Sequence, residues 1–363
     1  MNSVLCKCFG YDWSWGLTIR NIIRALPDFY FITEEAKRDT RNLSADMIWS
    51  QQVTVLPYIP ENRRGKTVCR LGGNRSFDEE GPVRNRFEEA MRTVYGIVAT
   101  NTKLYNIAKA VNENTWLIPN GLDINEWCPV PGKRTYGFTV GFVGNIQAAI
   151  YREYKGYDLV AEACKAVRVT LKNALYRQGQ IPHELMREKF YGKISILVHP
   201  TKGEGCSNAI MEALSCGIPV VTTREAGYHG ERLVDGENVL FCERTVESVQ
   251  GCIARLKADS KLRRRLSENG RKFAVEHHDI TKIATQYREI FLACIAANKK
   301  QEQVLKKETS DMVTVRFERS TVEPEEGFIE KGTVLDISRL RARQLGDVVT
   351  ILEEVKDGSG AGA

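Results

Sequence analysis

This chain of 363 residues has no C-x-x-C pair, no D-x-D triplet and no apolar run approaching the ~18 residues that a membrane span requires. Its ten cysteines are scattered, with one C-x-C at Cys6 and Cys8. Neither a zinc knuckle nor a disulfide framework is indicated, and reduced, buried thiols are expected. The opening MNSVLCKCFGYDW lacks the basic segment and long apolar stretch of a secretory signal, so a cytoplasmic protein with no integral membrane segment is expected. No histidine precedes residue 180: the five stand at His183, His199, His229, His277 and His278. The net charge of +6 is modest and uneven. Residues 131–298 carry 25 basic and 18 acidic side chains, against 16 and 15 in residues 1–130 and 11 and 13 in residues 299–363. An anionic small ligand in the middle of the chain is favoured over a basic tail gripping nucleic acid, with DNA left open as a partner.

With 42% apolar and 27% charged residues, the chain is an ordinary globular protein of two domains and a small third. SVLCKC (3–8), DFYFIT (28–33), DMIWSQ (46–51), KTVCRL (66–71), YGIVATN (95–101) and TWLIP (115–119) read as strands. Ile19, Ile22, Ile23 and Leu26 recur at helical spacing between them, as do Leu104, Ile107, Ala108 and Val111. An α/β domain over residues 1–130 follows. Pro and Gly punctuate residues 119–132, and the alternation then restarts with FTVGFVGN (138–145), ISILVHP (194–200), IPVVTT (218–223) and NVLFC (238–242). This second α/β domain runs over residues 131–280. A helix at 281–298 has Ile283, Tyr287, Ile290, Phe291 and Cys294 on one stripe. Residues 299–312 read as a charged linker, residues 313–355 as a small β-containing appendix, and residues 356–363 as a disordered tail. Two mainly parallel α/β domains imply a ligand cleft at the carboxyl ends of their strands.

The stretch ISILVHPTKGEGCSNAIMEALSCGIPVVTT (194–223) carries the most chemistry. A buried strand enters a loop with Gly203 and Gly205, and a helix opens near Ser207 or Asn208. Amide groups at such a helix start attract phosphate oxygens. Glu204 precedes the helix and Glu212 follows eight positions later, so both carboxylates can flank a ligand whose phosphates sit at the helix start. Carboxylates beside phosphates must serve hydroxyl donors, and those of a sugar and a ribose fit.

The pattern E-x7-E followed by A-L-S-C-G-I-P-V-V resembles the signature of the glycosyltransferase family 4 class of retaining enzymes with the GT-B fold. The resemblance extends to GFVGN (141–145), KGYDLVAEA (155–163), RQGQIPHEL (177–185) and VATNTKLYNIAK…WLIPNGLDINEW (98–127), covering roughly residues 95–297. It implies two Rossmann-like domains, the first for the acceptor and the second for the nucleotide-sugar donor. It further implies that Glu204 holds the donor sugar, Glu212 the ribose, Lys155 the diphosphate and the backbone near Ile181 the base. Gly144, Asn145, Gly205, Cys206, Ser207 and Asn208 complete the expected donor site, with Glu204 and Lys155 as the catalytic pair. A fixed ammonium at Lys155 also makes sense by itself, because the leaving diphosphate gains charge in the transition state.

Departures from the family pattern matter. Asn145 stands where the family has arginine, and Arg152, in a longer loop, is the candidate substitute. DWSWG (12–16) follows the first strand, so Trp15 and Gly16 are acceptor-side candidates, together with Asn74 and Arg75 of RLGGNR (70–75). Packing is favoured over sugar stacking for Trp13 and Trp15. His183, His277 and His278 read as capping or surface groups, and the run Arg263–Arg265 as a solvated face. Without D-x-D, Lys155 and helix dipoles rather than a metal carry the diphosphate charge, and no cofactor is expected. The appendix resembles a small domain recurring in bacteriophage proteins, which implies a phage-encoded enzyme in the host cytoplasm. Its acceptor is then a modified DNA base, a virion protein or a host glycan. The alternative is a non-catalytic sugar-nucleotide-binding or virion-associated protein; an isomerase on the same fold is a third reading.

Overall fold

The computed structural model describes residues 1–9, 14–39, 43–73, 77, 82–132, 137–176, 181–310, 312–318, 321–323, 327–329, 331–332 and 334–354. Met1–Cys294 and Ile295–Ala363 are separate compact units. The first contains two parallel sheets. Strands β1 (Asn2–Cys8), β2 (Phe29–Glu35), β3 (Met47–Ser50), β4 (Thr67–Leu71), β5 (Gly96–Ala99) and β6 (Thr115–Leu117) pair in the order β2-β1-β3-β4-β5-β6. In β1, Val4, Leu5, Cys6 and Cys8 are all buried, as a parallel strand covered on both faces requires. The helices Ser14–Ala25 and Thr102–Lys109 bury Ile19, Ile22, Leu104 and Ala108.

Strands β7 (Thr139–Gly144), β8 (Thr170–Leu175), β9 (Ile196–His199), β10 (Val220–Thr222) and β11 (Leu240–Phe241) form the second sheet, ordered β11-β10-β9-β7-β8. The strand β8 has no counterpart in the sequence reading. It is an edge strand whose sequence TLKNAL is mostly half-buried, so the apolar run that marks its neighbours is missing.

The chain crosses between the two sheets at two adjacent places. Leu122 N donates to His278 O at 2.9 Å and Ile280 N to Leu122 O at 3.0 Å. The stripe on the C-terminal helix then returns to the first sheet, where Phe291 meets Phe29 and Trp49 edge-on and Tyr287 meets Trp49 at 5.3 Å.

That helix corrects the expected linker. It runs unbroken over Ile280–Ser310, so the charged residues 299–310 are its continuation. KKQEQVLKKE contains neither glycine nor proline and is built from good helix formers, and propensity outweighs the charge that suggested a linker.

In the second unit, β12 (Met312–Phe317) pairs antiparallel with β15 (Val334–Ser338) and with β16 (Val349–Glu354), while β13 (Thr321–Glu323) and β14 (Gly327–Ile329) form a hairpin. The β-containing appendix expected over 313–355 has its strands here, VTVRF (313–317) in β12 and VLDIS (334–338) as β15. The helix Arg339–Leu345 and β16 join them around Val313, Val315, Ile337, Ala342 and Val349. The expected tail at 356–363 lies outside the described residues.

Candidate functional site

The strand β9 ends at His199, and the loop that follows delivers Glu204 before the helix Asn208–Ser215 begins. Threonines shape this loop: Thr201 Oγ1 donates to Gly203 O at 3.1 Å, and Thr223 Oγ1 to Thr201 O at 2.6 Å. Three groups converge on one carboxylate oxygen, Glu204 Oε1. They are the Lys155 ammonium, His199 Nε2 at 3.3 Å and Thr201 Oγ1 at 3.5 Å. Lys155 is the last residue of the helix Ala149–Lys155, which Gly156 stops in the left-handed region at φ 70°. Burial would push the Glu204 carboxyl up, but the Lys155 charge and the His199 hydrogen bond outweigh it and hold it down at about 2. Burial likewise lowers the His199 imidazole, so its neutral ring donates from Nε2 to an oxygen that can only accept.

The glycines of this loop are closely approached by protein neighbours. A Cβ on Gly203 would lie 2.5 Å from the Tyr154 hydroxyl, and one on Gly205 only 2.1 Å from the Gly72 carbonyl oxygen. Gly72 follows β4, so the first α/β half presses its backbone onto the Glu204 loop. Asn101 and Asn120 secure the contact. Asn101 Nδ2 donates to Glu204 O at 3.1 Å and Gly205 O at 3.3 Å; Asn120 Nδ2 donates to Cys206 O at 2.9 Å and Asn208 Oδ1 at 2.7 Å. The Asn120 amide oxygen accepts from the buried Arg70 guanidinium.

Glu212, in the second turn of the helix Asn208–Ser215, is 4% exposed. Its Oε2 accepts from Tyr191 Oη at 2.8 Å, and its Oε1 lies 3.0 Å from His183 Nε2. The His183 ring rests 4.8 Å from that of Trp127. His183 is thus a partner of Glu212, not the capping or surface group expected. Burial alone would lower its pKa, yet the Glu212 hydrogen bond and charge raise it above 6.5. A raised folded value means that this pairing stabilises fully below about pH 6.5 and is lost as pH rises through the folded value. Thermal melting between pH 6 and 9 should show native stability falling relative to His183→Gln. Parallel curves for the two proteins would dissociate His183 from Glu212.

Arg70, Asn120, His183, His199, Glu204 and Glu212 line one cavity of about 810 Å³. Gly144, Asn145, Lys155 and Ile181 stand on its wall with Glu204, Gly205, Cys206, Ser207, Asn208 and Glu212. Arg152 does not. Its guanidinium grips the Asp158 carboxylate at 2.5 to 2.9 Å and covers the Tyr157 ring at 4.7 Å. Arg152 is thus paired with a carboxylate on the next helix and stands off the cavity wall. Gly16 is buried inside the helix Ser14–Ala25, whose Leu17, Thr18 and Arg20 reach the cavity instead. The side chain of Trp15, as well as Trp13, Asn74 and Arg75, lies outside the described residues.

Arg70, Asn120, Asn101, Tyr191 and His199 escaped the sequence reading. His199 left a signal there, as the lone ionisable residue of the apolar run ISILVHP. His278 is also corrected: it is fully buried, with Nδ1 2.8 Å from Asn120 O. No helix among the described residues is long and apolar enough to cross a membrane.

Residues 170–273 match the family model described as glycosyl transferases group 1. An uncharacterized glycosyltransferase of Methanocaldococcus jannaschii is 31% identical over 33% of this chain and 40% of its own length. A second from the same organism is 28% identical over 33% and 31%. The chain thus spans less than half the length of these curated relatives. Among solved structures, Anabaena HepE in complex with UDP-glucose superposes with a TM-score of 0.68 at 14% identity, over 81% of this chain and all of that one. Sucrose-phosphate synthase from Thermosynechococcus elongatus gives 0.69 at 14% identity, over 82% and 100%. These likenesses establish the fold: two α/β domains with parallel sheets, matching GT-B structures.

Proposed function

We propose that the chain is a retaining glycosyltransferase that moves a sugar from a nucleotide-sugar donor to an acceptor hydroxyl. The observation that carries this reading is Glu204: a carboxylate kept ionised by Lys155 and His199, one loop ahead of a helix start, with Glu212 in the same wall. An ionised carboxylate accepts hydrogen bonds from a sugar hydroxyl. The Lys155 ammonium has two further donors for a phosphate oxygen, and the amides that open the helix Asn208–Ser215 face the same charge.

In the reaction, the bond from the anomeric carbon to the phosphate oxygen breaks and the acceptor oxygen bonds to the same face of that carbon. The acceptor proton passes to the leaving phosphate oxygen. Lys155 and the helix start stabilise the charge gathering on the diphosphate, so no divalent cation is needed there. Added Mg²⁺ or Mn²⁺ should leave the transfer rate unchanged; a metal-dependent rise would refute this part.

Glu212, in this reading, accepts from the ribose. Glu212→Gln is expected to weaken UDP or GDP binding by about 1 to 3 kcal/mol, the range for a hydrogen bond to a charged group. Isothermal titration measures it. An unchanged affinity would place the ribose elsewhere.

The solved likeness to a protein holding UDP-glucose makes UDP-glucose the first donor to assay, followed by other UDP- and GDP-sugars. Mass spectrometry of DNA, virion proteins and host glycans after incubation identifies the acceptor. A DNA acceptor would bind with a steep inverse dependence on salt. Donor binding without transfer or hydrolysis across that panel would favour a non-catalytic sugar-nucleotide-binding protein. A product with inverted configuration would rule out retention.

A further inference from the structure

Cys206, His229 and His278 reach one point from three separate segments. They come from the loop before the helix Asn208–Ser215, the short helix Tyr228–Arg232 and the residue that ends the helix Ser260–His277. Their ligating atoms all lie within 4.8 Å of one another, and all three side chains are buried, both histidines completely. Neither ring nitrogen of His229 has a hydrogen-bond partner, and nor does His278 Nε2. Leaving a buried polar atom unsatisfied is costly, so two such rings 5.0 Å apart call for a common partner.

The orientation of His278 indicates which partner. Its Nδ1 faces the Asn120 carbonyl oxygen at 2.8 Å, and a carbonyl only accepts, so Nδ1 carries the proton and Nε2 presents a lone pair. Histidines that bind metals are fixed in this way by a carbonyl or carboxylate on the far nitrogen.

The geometry points to a metal site at Cys206, His229 and His278 that supplies a thiolate and two neutral imidazoles, three of the four donors of a tetrahedral Zn²⁺. Zinc suits this mixture of sulfur and nitrogen donors. Bonds of about 2.0 to 2.3 Å at tetrahedral angles place donors roughly 3.3 to 3.7 Å apart, so side-chain movement of about 1 Å closes the trio. Binding releases the Cys206 thiol proton to solvent, the sulfur lone pair filling the metal coordination position.

The metal site does not rest on the proposed sugar transfer, although Cys206 also stands on the wall of the cavity that holds Glu204. Cys206 follows Glu204 by two residues, and Asn120, which orients His278, also holds the Cys206 carbonyl. The metal would therefore clamp the Glu204 loop to the crossing between the two halves.

The test uses the full chain expressed in zinc-supplemented medium and purified without chelators. Elemental analysis should find roughly one zinc per chain, and growth on cobalt should yield the thiolate-to-cobalt charge-transfer band of a sulfur-ligated Co²⁺. Cys206→Ser should lose that band, and His229→Gln should bind zinc at least tenfold more weakly. Where either variant fails to fold, the metal content and cobalt spectrum of the native chain decide. A native chain without zinc and without the cobalt band would overturn the proposal, leaving an apolar His–His contact only. Zinc retained undiminished in both variants would also overturn it. None of these readouts depends on sugar transfer.

Discussion

Replacing Glu204 with glutamine is expected to lower sugar transfer by about 100- to 1000-fold, the range seen when one preorganised electrostatic group is removed from a reaction centre. UDP affinity should stay within about threefold, because the carboxylate serves the sugar as the glycosidic bond breaks and not the nucleotide. The structure adds a second expectation. With its carboxyl held at about 2, Glu204 is ionised across the working range, so the native rate profile should show no limb from it above about pH 4. Lys155→Met removes the leading charge that opposes burial. The carboxyl then rises, and an acidic limb should move up into the measurable range, with activity recovering as pH increases. Steady-state kinetics from pH 4 to 8 on the three proteins checks both. Nucleotide affinity lost at Glu204→Gln, with turnover retained, would mean that the donor lies in the opposite orientation.

Gly205→Ala should be the most destabilising single methyl addition in the Glu204 loop. The new carbon would meet the Gly72 carbonyl oxygen at 2.1 Å and Thr100 Oγ1 at 2.7 Å. Neither neighbour can yield cheaply, because Thr100 N and Oγ1 both bond to Leu71 O at the ends of β4 and β5. Overpacking of this kind costs about 3 kcal/mol, and the relief available is to part the two halves or displace the loop that carries Glu204. Urea unfolding should show the loss, and transfer should fall with it. Gly251→Ala is the counterpart. That glycine lies in the helix Val246–Ala258 with nothing near its Cβ position, so alanine should stabilise by up to about 1 kcal/mol. A Gly205→Ala protein as stable and active as the native one would show that the Gly72 contact is not maintained in solution.

Much of the scaffold is legible without coordinates. A parallel strand covered on both faces must be a short apolar run, and β1, β4, β5, β7 and β9 are read from that property. The helical stripe of Tyr287, Phe291 and Cys294 announces a buried face in the same way. Its partner does not follow from periodicity: Phe29 and Trp49 stand more than two hundred residues earlier, and only the return of the chain brings them there. The edge strand β8 and the helical 299–310 segment are not legible in this way, because local polarity masks edge position in the one and helix propensity in the other.

At the site, the E-x7-E spacing and the helix start between Glu204 and Glu212 are properties of the sequence, since both follow from local turn and helix chemistry. What each carboxylate touches is not. Lys155 reaches Glu204 from another helix, His199 folds back on it from the end of the strand that leads into its loop, and His183 and Tyr191 reach Glu212 from a separate segment. Arg152 pairs with Asp158, six residues along the chain and on the next helix. The glycines suggest phosphate contact by type, but Gly72 and Tyr154 decide their role by proximity. Cys206, His229 and His278 carry no spacing motif at all. Sequence records the chemistry of each side chain and the period of its own element; which charges cancel and which donors meet depends on distances between elements, and packing alone sets those.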